Sequence, residues 1–177
     1  MIAEHINDID TNSIIICDPI KNSAMQYSNF YKIVFSNEFI SLNGLYIIFD
    51  LKKVHHNKDK LVFNYSDNKD AIDKIAYIEK YILDLIYSNK NRIYKISELL
   101  TYGNIKYSYN DTPINVGNKI GYNNYNFTNK SIILKISGLW ETKENIGVTF
   151  KLILLEKSID FNIADDINKN RVDLTIG

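Results

Sequence analysis

The feature that most constrains this chain is the Asn43-Gly44 pair inside FYKIVFSNEFISLNGLYIIFDL, residues 30–51. Aromatic and β-branched residues fill both flanks, which suits a pleated, half-buried surface better than a helix. A type I′ turn needs positive φ at both central positions, and Asn-Gly tolerates this at little cost. The stretch reads as a two-stranded antiparallel hairpin with strands near 30–42 and 45–51. After the charged loop KKVHHNKDK, the run LVFNY at 61–65 supplies a third strand and extends the hairpin to a meander. SIIIC at 13–17 adds an edge strand that Asp18-Pro19 is expected to terminate, because proline has no N–H to give to a ladder.

The apolar period then changes. From Ser66 or Asp67, the expected cap, Ala71, Ile75, Ile78, Ile82 and Leu85 or Ile86 recur at threes and fours, predicting a helix near 67–88. A shorter helix at 92–100 stops near Gly103. Residues 101–130 follow neither period and form a Tyr- and Asn-rich connection longer than a passive link. Alternation returns at 131–137 and 146–155. There Ile132, Leu134 and Ile136 share one face and Val148, Phe150, Leu152 and Leu154 another, with Lys135 and Lys151 opposite. The intervening GLWETKEN places Trp140 and Lys143 at the tip of a connecting loop.

A length of 177 residues with 45% apolar side chains is enough for one core. The expectation is a single domain over 1–156 followed by a polar, weakly acidic tail at 157–177. No run of about 18 apolar residues exists to span a bilayer, so no membrane partner is expected. Cys17 is the only cysteine and His5, His55 and His56 the only histidines, which excludes an internal disulfide framework and a Cys-rich zinc site. The start MIAEHINDID lacks a basic-then-apolar leader, and an intracellular location is expected. The chain holds 23 Asn, 30 Ile and 19 Lys against two Arg, the usage of an AT-rich gene, so single Asn and Lys residues carry little information. Net charge is zero but unevenly spread: residues 85–155 carry nine basic side chains against four acidic ones.

Strand, strand, strand, helix, strand, strand is the element order of the OB-fold, a partly open barrel that binds oligonucleotides. The fold class read here is α+β, mainly antiparallel β, OB-like. The competing architecture is a different α+β sheet covered by one long helix. The β-rich front and the ending SIILKISGLWETKENIGVTFKLILLE resemble small single-stranded-DNA-binding proteins of large DNA viruses and phages. That resemblance implies a DNA-replication accessory role without catalysis or cofactor. It also implies single-stranded DNA or RNA as ligand, contacts with other replication proteins through the tail, and self-association.

Single-strand binding needs lysines for phosphates and aromatic faces for bases. The residues that supply this mixture are Lys106, Tyr107, Tyr109, Lys119, Tyr122, Tyr125, Phe127, Lys135, Trp140, Lys143 and Lys151. The plain structural account of the same residues is that tyrosines pin a long connection to the sheet, a lone tryptophan fills an edge, and lysines solubilise. A protein-interaction module with a Tyr-rich contact surface is the alternative function. Enzyme activity is not expected. Adjacent His55-His56 cannot form an i, i+4 metal pair, Cys17 has no evident base, and neither a phosphate loop nor a nucleophile elbow occurs.

Overall fold

In the computed structural model, which describes residues 2–57, 60–109 and 128–155, eleven strands and two helices follow one another. They are β1 (Glu4–His5), β2 (Ile14–Lys21), β3 (Asn29–Ser36), β4 (Ser41–Asn43), β5 (Leu45–Asn57), β6 (Lys60–Val62), α1 (Tyr65–Asp84), β7 (Asn91–Ile93), α2 (Lys95–Tyr102), β8 (Asn104–Lys106), β9 (Ser108–Tyr109), β10 (Thr128–Glu141) and β11 (Asn145–Leu155). The main path of the sheet runs β2-β3-β10-β5-β6-β8, and β11 lies along the other edge of β10. Most ladders are antiparallel; β1 on β5 and β7 and β9 on β11 are parallel. The protein is therefore an α+β fold built on an open, mostly antiparallel sheet.

The hairpin expected at Asn43-Gly44 does not form. The chain reverses earlier, at Asn37–Ile40, where Asn37 N–H donates to the Ile40 carbonyl at 3.0 Å and Asn37 Oδ1 accepts from the amides of Phe39 and Ile40. This side-chain turn competes successfully with the Asn-Gly signal. β4 then pairs with β3, and at Gly44 the chain leaves β3 for β10. Gly44 has φ +106, and a Cβ there would lie 2.9 Å from the Ile136 carbonyl oxygen, so glycine is required for a strand transfer instead of a turn. Asn43 has no positive φ; outside glycine only Tyr27 and Lys53 do among the described residues. The reward for the transfer is core pairing: Leu45, Ile47 and Phe49 stand opposite Ile136, Leu134 and Ile132, all buried.

Other boundaries shift for identifiable reasons. β2 continues past Asp18-Pro19 to Lys21, because a register shift between Ile16 and Pro19 on a terminal strand absorbs the missing N–H. The third strand is Lys60–Val62 and pairs with the end of β5, His55–Asn57. Asn64, not Ser66 or Asp67, holds the N-cap position of α1, and the helix ends at Asp84, short of Ser88. Residues 92 and 93, expected to open the second helix, instead belong to β7, fed onto β11 by the Asn91 N–H bond to the Glu144 carbonyl at 2.9 Å. Gly138, Leu139 and Trp140 extend β10, and the loop shrinks to a turn in which Thr142 N–H donates to the Asn145 carbonyl at 2.8 Å. Trp140 is thus a strand residue.

The helices cover one face of the sheet. Ile75, Ile78 and Ile82 of α1 enter the same buried cluster as Ile47, Phe49, Leu134 and Leu152. Two buried polar side chains fasten this layer. Asn68 accepts from Lys52 N–H at 2.6 Å and donates to the Lys52 carbonyl at 3.1 Å, pairing the backbone where the β5–β10 register shifts and Lys53 takes φ 51. Glu79, fully buried on α1, accepts from Ile96 N–H at 2.9 Å and Ser97 N–H at 2.8 Å, capping the N-terminus of α2 from a neighbouring helix.

Candidate functional site

The face of the sheet opposite the helices presents three successive cross-strand rows. Side chains of one parity share a face, so register fixes the rows. Phe30, Trp140 and Gly147 form the first; Lys32, Gly138 and Thr149 the second; Tyr46, Lys135 and Lys151 the third. None of the three contains a carboxylate. The next row, Ile48, Ile133 and Ile153, is apolar, with Ile133 and Ile153 buried.

The glycines in these rows seat aromatic rings. A Cβ on Gly147 would lie 2.5 Å from Trp140 Cζ2 and 2.8 Å from Cε2, so the indole lies over that Cα. A Cβ on Gly138 would lie 2.4 Å from Phe30 Cζ, so the phenyl ring covers the neighbouring strand in the same way. Both rings lean across the sheet towards β11, each half-buried. Lys135 Nζ sits 5.0 Å from the centre of the Tyr46 ring, a cation–π distance, and stands opposite Lys151 on β11.

The edge of β11 holds a second feature. β7 pairs with Asn145–Gly147 and β9 with Ile153–Leu154, and the chain between those stubs runs through α2 and β8. Beneath this arch is a cleft of about 490 Å³ lined by Lys60, Leu99, Lys106, Tyr107, Phe150 and Lys151, among others. Lys60 and Lys106 are direct cross-strand partners on β6 and β8. Tyr107 Oη lies 3.3 Å from His56 Nδ1, ring edge to ring face. Burial, then the nearby charges of Lys130 and His55, hold the His56 imidazole below its ordinary pKa.

The residues singled out from sequence are divided between these places. Lys135, Trp140 and Lys151 share the open sheet face; Lys106, Tyr107 and again Lys151 line the cleft. Lys143 is exposed in the turn after Trp140, not beside it on a loop tip. Tyr109 pairs with Leu154 through its backbone. Lys119, Tyr122, Tyr125 and Phe127, and the tail 157–177, lie outside the described residues. Sequence reasoning missed Phe30, Lys32, Tyr46, Lys60 and Phe150. The even-numbered parity of residues 30–34 and 46–50 carried the signal for the first three; the meeting of Lys60 with Lys106 is a long-range pairing with none.

A third polar group sits at the end of the covered face. Glu141 accepts from Tyr31 Oη at 2.7 Å and pairs with Lys90 Nζ at 2.9 Å. Burial pushes the Glu141 carboxyl up, but hydrogen bonds from Lys90, Tyr31 and Asn29 outweigh it and hold the pKa below the ordinary value. Burial and the Glu141 hydrogen bond push the Tyr31 phenol up to about 12. This group ties β3 and β10 to the segment after α1 and is a structural lock.

Among the described residues no three potential ligands gather as a metal site, and no helix is long and apolar enough to cross a membrane. No family model, curated protein or solved structure matches the chain.

Proposed function

We propose that this chain is a non-catalytic single-stranded nucleic-acid-binding protein, OB-like in its element order and serving viral or phage DNA replication. The observation that carries the reading is the open sheet face, where the rings of Phe30 and Trp140, packed over Gly138 and Gly147, share three successive rows with Lys32, Lys135 and Lys151 and with no carboxylate. Half-buried rings seated over glycines keep aromatic surface on which bases can stack, each stacked base contributing about 1–3 kcal/mol. Lysines one row away (Lys32) and two rows away (Lys135 and Lys151) meet phosphates and release counterions.

The test is fluorescence anisotropy of labelled poly-dT, duplex DNA and RNA at two salt concentrations, alongside quenching of Trp140, the only tryptophan. Lys135→Ala or Lys151→Ala lowers affinity for every sequence and reduces the salt slope by roughly 0.7 for each phosphate no longer neutralised. Trp140→Ala lowers affinity by about 1–3 kcal/mol with the slope retained. No binding by the parent at low salt, or equal binding by all variants, overturns the reading.

A protein-contact module is the second reading. It is favoured by Tyr27, Tyr87 and Tyr102, which are 97%, 99% and 84% exposed and belong to none of the three rows. Tyrosine gives large contact area with few rotamers, and such contacts are less sensitive to salt.

A further inference from the structure

The cleft at the β11 edge has a composition distinct from the open face. Three lysines line it from two directions, Lys60 and Lys106 from β6 and β8 and Lys151 from β11. Cations placed directly across a strand pair repel, and register makes Lys60 and Lys106 such a pair. No carboxylate is among the described lining residues, and neither Lys60 nor Lys151 forms an ion pair among the described residues. The rest of the wall is mainly aromatic and apolar: Tyr107, Phe150, Leu99 and Leu152. A concave site with low-dielectric walls concentrates the field of its cations.

We propose that this cleft binds a nucleoside phosphate, with Lys60, Lys106 and Lys151 around the phosphate and Tyr107 and Phe150 against the base. Lys60 and Lys151, which form no ion pair among the described residues, stand beside aromatic walls, and that combination fits an anion attached to a flat apolar group. At about 490 Å³ the cleft lies within the range of small-molecule sites and exceeds what a bare phosphate fills. The same chemistry is presented by a free nucleotide and by the phosphorylated end of a strand. Lys151 is the only residue common to the cleft and the sheet face, so the inference does not rest on the sheet-face reading.

Calorimetry on the full chain with thymidine monophosphate, thymidine and inorganic phosphate tests it. Hydrogen bonds to charged groups predict that the nucleotide binds about tenfold more tightly than the nucleoside. Lys60→Ala removes that advantage and Lys60→Arg keeps it, with circular dichroism confirming that both fold. Anisotropy of oligo-dT with and without a terminal phosphate then separates the sources: a preference for the phosphorylated strand that Lys60→Ala abolishes identifies a strand end, and equal binding of the two identifies a free nucleotide. Equal affinity for thymidine and its monophosphate, or a folded Lys60→Ala variant with unchanged nucleotide affinity, overturns the proposal. A parent that binds oligo-dT but no mononucleotide overturns the cleft assignment alone; one that binds the mononucleotide but no oligo-dT overturns the sheet-face reading alone.

Discussion

On the face that α1 covers, the row Ile47–Leu134–Leu152 is buried to 5% exposure or less, while the adjacent row on the other face is Tyr46–Lys135–Lys151. One residue of displacement along three strands separates an apolar core from a polar, aromatic surface. The covered face is selected by volume and hydrophobicity, and many combinations of Ile and Leu would satisfy it. The three polar and aromatic rows of the other face lie outside the core under α1, yet they hold rings over two glycines and three lysines.

The largest expected effect breaks the contrast at adjacent positions. Leu134→Asp places an unpaired carboxylate among fully buried side chains and is expected to unfold the domain, since such burial costs several kcal/mol against a total of about 5–15. Lys135→Ala, one residue further, is expected to change stability by about 0.5 kcal/mol or less. Thermal unfolding followed by circular dichroism compares them; comparable melting temperatures would mean that the faces are misassigned.

Gly44 is the point at which the chain crosses from the β3 ladder to the β10 ladder, and both faces depend on it. Gly44→Ala forces a side chain into φ +106 and against the Ile136 carbonyl, at a cost of about 1–3 kcal/mol. Asn43→Ala is expected to be nearly neutral. Chemical denaturation of the two variants decides between strand transfer and an Asn-Gly turn, because a turn of that type would make both substitutions costly.

Polar exceptions sharpen the contrast further. Glu79 is an acid inside the covered layer, and Glu79→Ala deprives the Ile96 and Ser97 amides of their acceptor, at about 1–2 kcal/mol. Fraying of α2 should appear as faster hydrogen exchange at Ile96 and Ser97 before global unfolding. Unchanged exchange there would remove Glu79 as the cap.

Much of this architecture is written locally. The alternation of Ile132, Leu134 and Ile136 against Lys135 identified the faces of β10, and the spacing of Ile75, Ile78 and Ile82 identified the buried stripe of α1. Pairing was less legible. Asn43-Gly44 carries a strong local turn preference, but the Asn37 turn and the apolar match of β5 to β10 outweigh it. Trp140 looked like a loop residue because glycine precedes it in GLW; the glycine is instead the seat for Phe30 from another strand. Lys135, Trp140 and Lys151 could be named from composition and parity, whereas Lys60 and Phe30 join them only through pairings distant in sequence.

The smallest expected effect concerns pH and the lock at Glu141. Its carboxyl has a folded-state pKa below the ordinary value, so the unfolded chain binds the proton more readily. The stabilisation is present above the unfolded carboxylate pKa and is lost as pH falls through the folded one. Tyr31 works in the opposite sense: its folded pKa is about 12 against 10.0, so its contribution is complete below pH 10 and declines between about 10 and 12. Glu141→Gln should therefore flatten the acid limb of a plot of melting temperature against pH, and Tyr31→Phe the alkaline limb, with little change near neutrality in the slope of either. Because the phenol donates to the carboxylate at 2.7 Å, the double variant should be destabilised by less than the sum of the two single effects. Strictly additive effects would show that the two groups titrate independently and that the lock is two separate interactions.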